Sequence, residues 1–372
     1  MNNQSIYKVQ IYDPSGNLVV DLTGLDLAKQ IIKTRNDADQ LQVQCSLDKM
    51  HELAVTLGTN IRNLVNVRVN ELRIYKISKV TGEFACIGAG QIQSLQRGLE
   101  DGNRTVVIVA LGWLGLLARY YYNAAPNQIT INSALDYSAG TTDGGQIALA
   151  LLANAQAAQY AQPAITNITV GTVQTSNDQT CTYLQFKCIK DALTELTEME
   201  GSFDMEITWD KILNIYYPGI GTTRPDIPIM IPGTPIQLTV TDDGTNLANN
   251  VIGQGSGTLE ATGTNTASQQ SDLGLQTTVN SYSDITNQDM LQSQATADAT
   301  ALSSVIIVPE LVLDGVIGPD ITQINIGDQL VFRVAANQDS FEDLDGNNYR
   351  VESYTWTVDD SNTEQLSLTL AG

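Results

Sequence analysis

Apolar residues recur at every second position in short runs broken by turn-forming residues, and this pattern restricts the chain mainly to β-structure. Tyr7, Val9 and Ile11 alternate with polar neighbours, Asp13-Pro14-Ser15-Gly16 supplies turn chemistry, and Leu18–Leu22 resumes the run. Leu41, Val43, Cys45 and Leu47 repeat the period of two. Met50, Leu53 and Leu57 then shift to helical spacing, with Gly58 as the stop. Val65–Val69, Leu72–Ile77, Phe84–Ile87 and Ile92–Leu95 read as further strands. That density of short strands around one short helix predicts a small barrel. Charged residues make up only 16% of the chain, so Asn, Gln, Ser and Thr must carry the polar surface, which suits strands better than a helical bundle.

The pattern changes after Thr105. A β-branched run, Thr105–Val109, leads into Gly112-Trp113-Leu114-Gly115-Leu116-Leu117-Ala118-Arg119-Tyr120, a strand feeding a short helix. Gln146–Tyr160 is rich in Ala and Leu and predicts a helix ending near Pro163. Phe186, Ile189, Leu193 and Leu196 lie at helical spacing with Gly201 as the stop, and Phe203–Trp209 with Ile212–Tyr216 reads as a hairpin. Pro218, Pro225, Pro228, Pro232 and Pro235 then mark a linker. Beyond it, Ile236–Thr241 and Asn250–Gly253 read as strands and Leu259–Gln270 as a flexible low-complexity loop. A helix is expected over Asp289–Ser304, with Thr286 and Asp289 at capping-box spacing. The last strands are Val305–Val308, Gln329–Val334, Asn348–Val358 and Gln365–Leu370.

Charge is distributed unevenly. Residues 1–120 carry 13 Lys and Arg against 11 Asp and Glu, a net of +2, whereas residues 225–372 carry 2 against 20, a net of −18. Such an acidic body argues against nucleic-acid recognition, which needs cations to meet phosphates. Cys45, Cys86, Cys181 and Cys188 include no CxxC pair and are too few for a disulfide framework in 372 residues. Met1–Val9 lacks an apolar core, so no signal peptide is expected. Val106–Ala118, the most apolar stretch, falls short of the ~20 residues that span a bilayer, so a soluble chain without stable membrane insertion is expected.

The sequence shows no active-site motif. His51 is the single histidine, so no multi-histidine metal site or Ser–His–Asp triad can be built elsewhere, and no GxSxG elbow is present. Cys181 and Cys188 have the wrong spacing for a zinc knuckle and read as structural thiols. Gly253-Gln254-Gly255-Ser256-Gly257 lacks the GK[ST] ending of a phosphate loop and reads as a turn between strands. Asp343, Asp345, Gly346 and Glu352 match four positions of a calcium loop, but Phe341 occupies the first, and a hairpin turn at Asp345-Gly346 is the better reading. No catalytic, cofactor-binding or metal-binding residue and no cofactor is therefore expected.

One family resemblance spans nearly the full length. Asn246-Leu247-Ala248-Asn249-Asn250-Val251, then Gly253-Gln254-Gly255, Ser271-Asp272-Leu273-Gly274-Leu275 and a helix carrying Leu291, Ala295 and Leu302 occur in the order seen in baseplate hub, or minor tail hub, proteins of tailed bacteriophages. Gly327-Asp328-Gln329-Leu330 followed by Tyr349-Arg350-Val351 resembles that family's final barrel. Leu111-Gly112-Trp113 through Leu117-Ala118-Arg119 resembles its turn into an inserted domain, and Gly201-Ser202-Phe203-Asp204 its helix–strand joint. The resemblance implies a mainly β fold with α+β inserts: two related small β-barrels of the split-barrel hub type plus smaller mixed domains. Its divisions would be a first barrel over 1–104, inserted α/β domains over 105–217, a Pro/Gly-rich linker over 218–235, and a second barrel with one helix over 236–372. It also implies a homotrimer in the virion's tail tip, made in the host cytoplasm, that meets distal tail and tube proteins, the tape measure protein and tip or fibre proteins. DNA would be passing cargo that is not bound. A hexameric distal tail ring protein is the alternative within the same machine, and a cell-wall-binding or cell-wall-hydrolysing tail protein the alternative from another class.

Overall fold

The alternation read from the sequence becomes alternating burial. The structure, a computed structural model, describes residues 6–371 except 26, 101–102, 124–136, 159–160, 200, 272, 284, 337 and 360. In β1 (Tyr7–Tyr12) the residues Tyr7, Val9 and Ile11 point inward. β2 (Leu18–Asp21), β3 (Ala28–Thr34) and β4 (Gln40–Ser46) follow, then the helices α1 (Leu47–Thr56) and α2 (Ile61–Val65). β5 (Glu71–Ile77), the long β6 (Phe84–Glu100) and β7 (Asn103–Leu111) complete this part. The strands pair in the order β2-β1-β5-β6-β7-β4-β3.

The chain then leaves the sheet through α3 (Trp113–Leu116), whose four residues are all buried. β8 (Tyr137–Asp143), α4 (Gly144–Gln156), α5 (Pro163–Thr166), β9 (Thr169–Val173), β10 (Asp178–Tyr183) and α6 (Ile189–Glu198) form the mixed middle part with β11 (Asp204–Ile207) and β12 (Ile212–Tyr216). β10 pairs with β8, and β12 sits between β11 and β9.

The proline-rich stretch is partly a strand. β13 (Thr223–Ile231) runs parallel to β19 (Gln329–Val334), and its register slips between Arg224 and Ile229, where Pro225 and Pro228 cannot donate to the ladder. β14 (Pro235–Asp243) pairs with β18 (Ile306–Asp314), which pairs with β21 (Glu364–Ala371), and β21 with β20 (Asn348–Val358). β20 pairs antiparallel with β3 from Ser353↔Thr34 to Val358↔Lys29. This joint fuses the N- and C-terminal strands into one 13-stranded sheet over one apolar core, from Tyr7 and Ile31 to Trp356 and Leu370. Among the described residues the pairing does not close on itself, and β2 and β14 are the path's two ends.

Residues 250–301 form a smaller sheet with its own covering helix. β15 (Asn250–Gln254) lies between β16 (Glu260–Thr264) and β17 (Thr277–Ser281), and α8 (Gln288–Ala301) covers them. Met290, Leu291 and Ala295 of α8 join the core of the middle part rather than that of the large sheet. The segment expected as a flexible loop holds β16 and α7 (Thr266–Gln269), because Asn265 caps that turn through Ser268 N and Gln269 reaches the Asn249 carbonyl. Helix α8 is capped by Asn287, which accepts from Asp289 N and Met290 N, so the Thr286 capping box does not form. Asp345-Gly346 is not a two-residue hairpin turn: it follows a 3₁₀ turn over Asp339–Leu344 in the longer connection between the antiparallel β19 and β20, and Asp345 accepts from Val334 N.

Candidate interaction surfaces and joints

The residues with candidate chemistry lie apart. His51 is exposed on α1. Cys181 is buried in β10, while Cys188 is half-buried at an isolated bridge with Tyr121. Burial pushes the Cys45 thiol up to about 11 and that of Cys86 up to about 12, which makes both poor nucleophiles. Gly253 and Gly255 pack against Leu291 of α8, so the glycine run serves close strand–helix approach. Glu352, the twelfth position of the supposed calcium loop, pairs with Arg35 at 2.6 Å and Arg350 at 2.9 Å instead. Among the described residues no group of three His, Cys, Asp or Glu could hold a metal ion. No helix among them is long and apolar enough to cross a membrane.

What the fold does concentrate is buried charge at the seams between its parts. Asp204, at the start of β11, accepts from Arg35 Nη1 (2.8 Å), Asn36 Nδ2 (2.7 Å) and the Ile220 backbone (3.0 Å), and so fastens the β3–β4 corner to the middle part. Glu71 of β5 pairs with Arg73 at 2.9 Å and with Lys211 from the β11–β12 turn, whose ammonium sits 4.6 Å from the Trp113 ring centroid. Arg224 bridges to Asp328 at 3.1 Å. Lys76 of β5 meets Asp320, in the segment before β19, and Glu364 of β21, tying the N-terminal strands to the C-terminal ones. Single charges inside apolar runs have no motif, so sequence reading passed over them. The signal was present in β5, where Lys76 continues the inward face of Leu72 and Ile74. Breaking such a pair costs far more than forming it gains, so these seams hold the parts in one arrangement.

The seams leave surface that can meet a partner. A cleft of about 620 Å³ lies between Lys33–Asp39, the Met205–Thr208 edge of β11, Tyr216 and Asn325–Asp328. Among the described residues, β2, β14, β16 and β17 each pair on one side only, leaving an open row of backbone groups. Ile236 on β14 is 59% exposed and Val279 on β17 is 56% exposed, so these edges also present apolar side chains. The electrostatic faces differ. Arg62, Arg68 and Arg97 are exposed in the N-terminal part, whereas Asp242, Glu260, Asp289, Glu310, Glu342 and Asp343 are exposed in the C-terminal part.

This architecture has solved counterparts. The chain is similar to a tail protein from Neisseria meningitidis MC58, with 14% identity, a TM-score of 0.62 and coverage of 98% of this chain and 96% of that one. It is similar also to the 43 kDa tail protein of prophage MuSo2 from Shewanella oneidensis (10% identity, TM-score 0.60, 98% and 97% coverage). Prophage tail protein gp18 from Listeria monocytogenes EGD-e matches at 10% identity and a TM-score of 0.54, over 98% and 94% of the two chains. No protein-family model and no curated protein matches the sequence. The fold is therefore that of phage tail proteins, in agreement with the resemblance read from the sequence. At these identities the likeness is one of fold.

Proposed function

We propose that the chain is the structural hub of a phage tail tip or baseplate, a homotrimer that joins the tail tube to the tip or fibre apparatus and surrounds the path of tape measure and DNA. The observation that carries this reading is the match in fold along nearly the whole of this chain and of three tail proteins. In this reading each half of the 13-stranded sheet curls into a split barrel, the β3–β20 joint holds the two together, and open edges such as β2 and β14 meet neighbours in a ring. The near-neutral N-terminal part packs against other tail proteins. A share of the C-terminal carboxylates faces the channel, where like charge keeps DNA from sticking. The hub performs no hydrolysis, and its partners are distal tail and tube proteins, the tape measure protein, and tip or fibre proteins.

Gold-labelled antibody to this chain should decorate one end of the tail, at the tip. Label along the tube or on the head would overturn the proposal. Purified protein should leave peptidoglycan and host polysaccharide intact in a zymogram, and clearing abolished by one carboxylate substitution would make it a wall hydrolase instead.

A further inference from the structure

We propose that Lys76 and Asp320 are the reactants of a self-formed isopeptide bond, with Glu364 as the proton carrier, so that the mature chain is covalently stapled between β5 and the segment before β19. The inference is independent of the hub assignment. Three ionisable side chains converge where water is excluded: Lys76 is 3% exposed, Asp320 0% and Glu364 2%. Lys76 Nζ approaches Asp320 Oδ2 to 2.6 Å without the alignment of a hydrogen bond, and the same Nζ contacts Glu364 Oε1. An amine so close to one carboxyl oxygen is within reach of the carboxyl carbon.

The two acids are held for different tasks. Glu364 is fixed as a proton acceptor: Trp356 Nε1 donates to its Oε1 at 2.8 Å and Tyr7 Oη to its Oε2 at 2.6 Å. Burial and then the bond to Glu364 push the Tyr7 phenol far above its ordinary range, so it stays a donor. Gly315 makes room for this carboxylate, since a Cβ there would lie 2.4 Å from Glu364 Cγ. Asp320 presents its other oxygen to a pair of donors, with Thr322 N at 2.9 Å and Thr322 Oγ1 at 2.6 Å from Oδ1. Those donors are placed for the negative charge that gathers on Oδ1 when Cγ is attacked. Lys79 Nζ, 3.9 Å from Oδ2, is held by the Val316 and Gly318 carbonyls and completes the charged groups around the acid.

The reaction balances without any co-reactant. Glu364 relays one proton from the Lys76 ammonium to Asp320 Oδ2, which yields a neutral amine beside a neutral carboxylic acid. The Nζ lone pair attacks Cγ and forms the C–N bond. Glu364 then carries a second proton from nitrogen to Oδ2, the Cγ–Oδ2 bond breaks, and Oδ2 leaves as water. An ammonium and a carboxylate thus become a neutral amide and one water. The driving force is local: burying an ion pair carries a desolvation cost that an amide escapes, and the fixed geometry supplies the effective concentration a free amine and acid lack.

Intact-mass measurement of the purified, folded chain, corrected for the initiator methionine, should fall short of the sequence mass by one water. A protease map should show a branched peptide joining Lys76 to Asp320. Lys76→Arg should carry the full mass. Asp320→Asn should lose ammonia in place of water, and Glu364→Gln should slow the linkage on the order of 100-fold or more, the usual worth of a placed acid–base group. Where a variant does not fold, the wild-type peptide map decides. Full sequence mass in the folded wild-type chain, or a branch from Lys76 to Glu364, overturns the proposal.

Discussion

Removing the ammonium of Lys211 while keeping its length, by Lys211→Met, should loosen the middle part from the large sheet. Glu71 is 1% exposed, and its two oxygens are divided between Lys211 and Arg73. Breaking a buried pair by removing one partner costs ~3–5 kcal/mol, and because Arg73 still meets Oε2 at 2.9 Å the low end applies, ~3 kcal/mol. Loss of the cation from the Trp113 ring acts in the same direction. With ~2.1 cal/mol/K of unfolding entropy per residue over 372 residues, this corresponds to a fall in Tm of about 4 °C. Calorimetry of the wild type, Lys211→Met, Glu71→Leu and the double variant gives the coupling directly. The double variant should recover about half or more of the single loss, since an apolar pair leaves only Arg73 unmatched. A Tm for Lys211→Met within about 1 °C of wild type, or strictly additive losses, would refute the view that the seams are fastened by desolvated charge.

Further outcomes follow from close contacts and caps. A Cβ at Gly263 would sit 1.9 Å from the Ala295 carbonyl oxygen, so Gly263→Ala must push α8 off β16 and should cost ~3 kcal/mol in a denaturant titration. Asn287→Ala removes the acceptor for Asp289 N and Met290 N and should cost ~1 kcal/mol by the same titration. The thiols of Cys45 and Cys86 hold their protons more tightly when folded than their ordinary value of 9.0, with pKa values pushed up to about 11 and about 12. Their contribution is fully present below pH 9 and is lost as pH rises toward 11–12, because deprotonation favours the unfolded chain. Replacing both by Ala should flatten that alkaline decline in equilibrium stability, measured by denaturant titration at each pH.

Strands such as β1 were legible because burial on one face writes a period of two, as in Tyr7-Val9-Ile11, and α4 and α8 because Ala and Leu enrichment marks the first and capping-type residues the start of the second; Val65–Val69, expected as a strand, instead closes α2 and turns. What was not legible was long-range. Nothing local to Ala28–Thr34 or Asn348–Val358 says that these strands pair with each other across more than three hundred residues, yet that pairing makes one sheet of two halves. The prolines of 218–235 suggested a linker, but Pro225 and Pro228 sit where the ladder slips, so Thr223 and Ile229–Ile231 can still pair. Polar Leu259–Gln270 carries too little apolar surface to signal β16, which forms because α8 and β15 cover it and the glycine at 263 lets the helix approach. The charged seams escaped for the same reason: Glu71, Asp204 and Asp320 acquire their roles only from partners that the fold brings from elsewhere in the chain.

The central claim, a tail hub built from copies of this chain, is tested most directly by the mass of its native assembly. Native mass spectrometry of the full-length protein across a concentration series should show three copies as the largest stable species. A stable hexamer would contradict the hub and favour the distal tail ring, and a monomer persisting at the highest concentration would contradict self-assembly altogether.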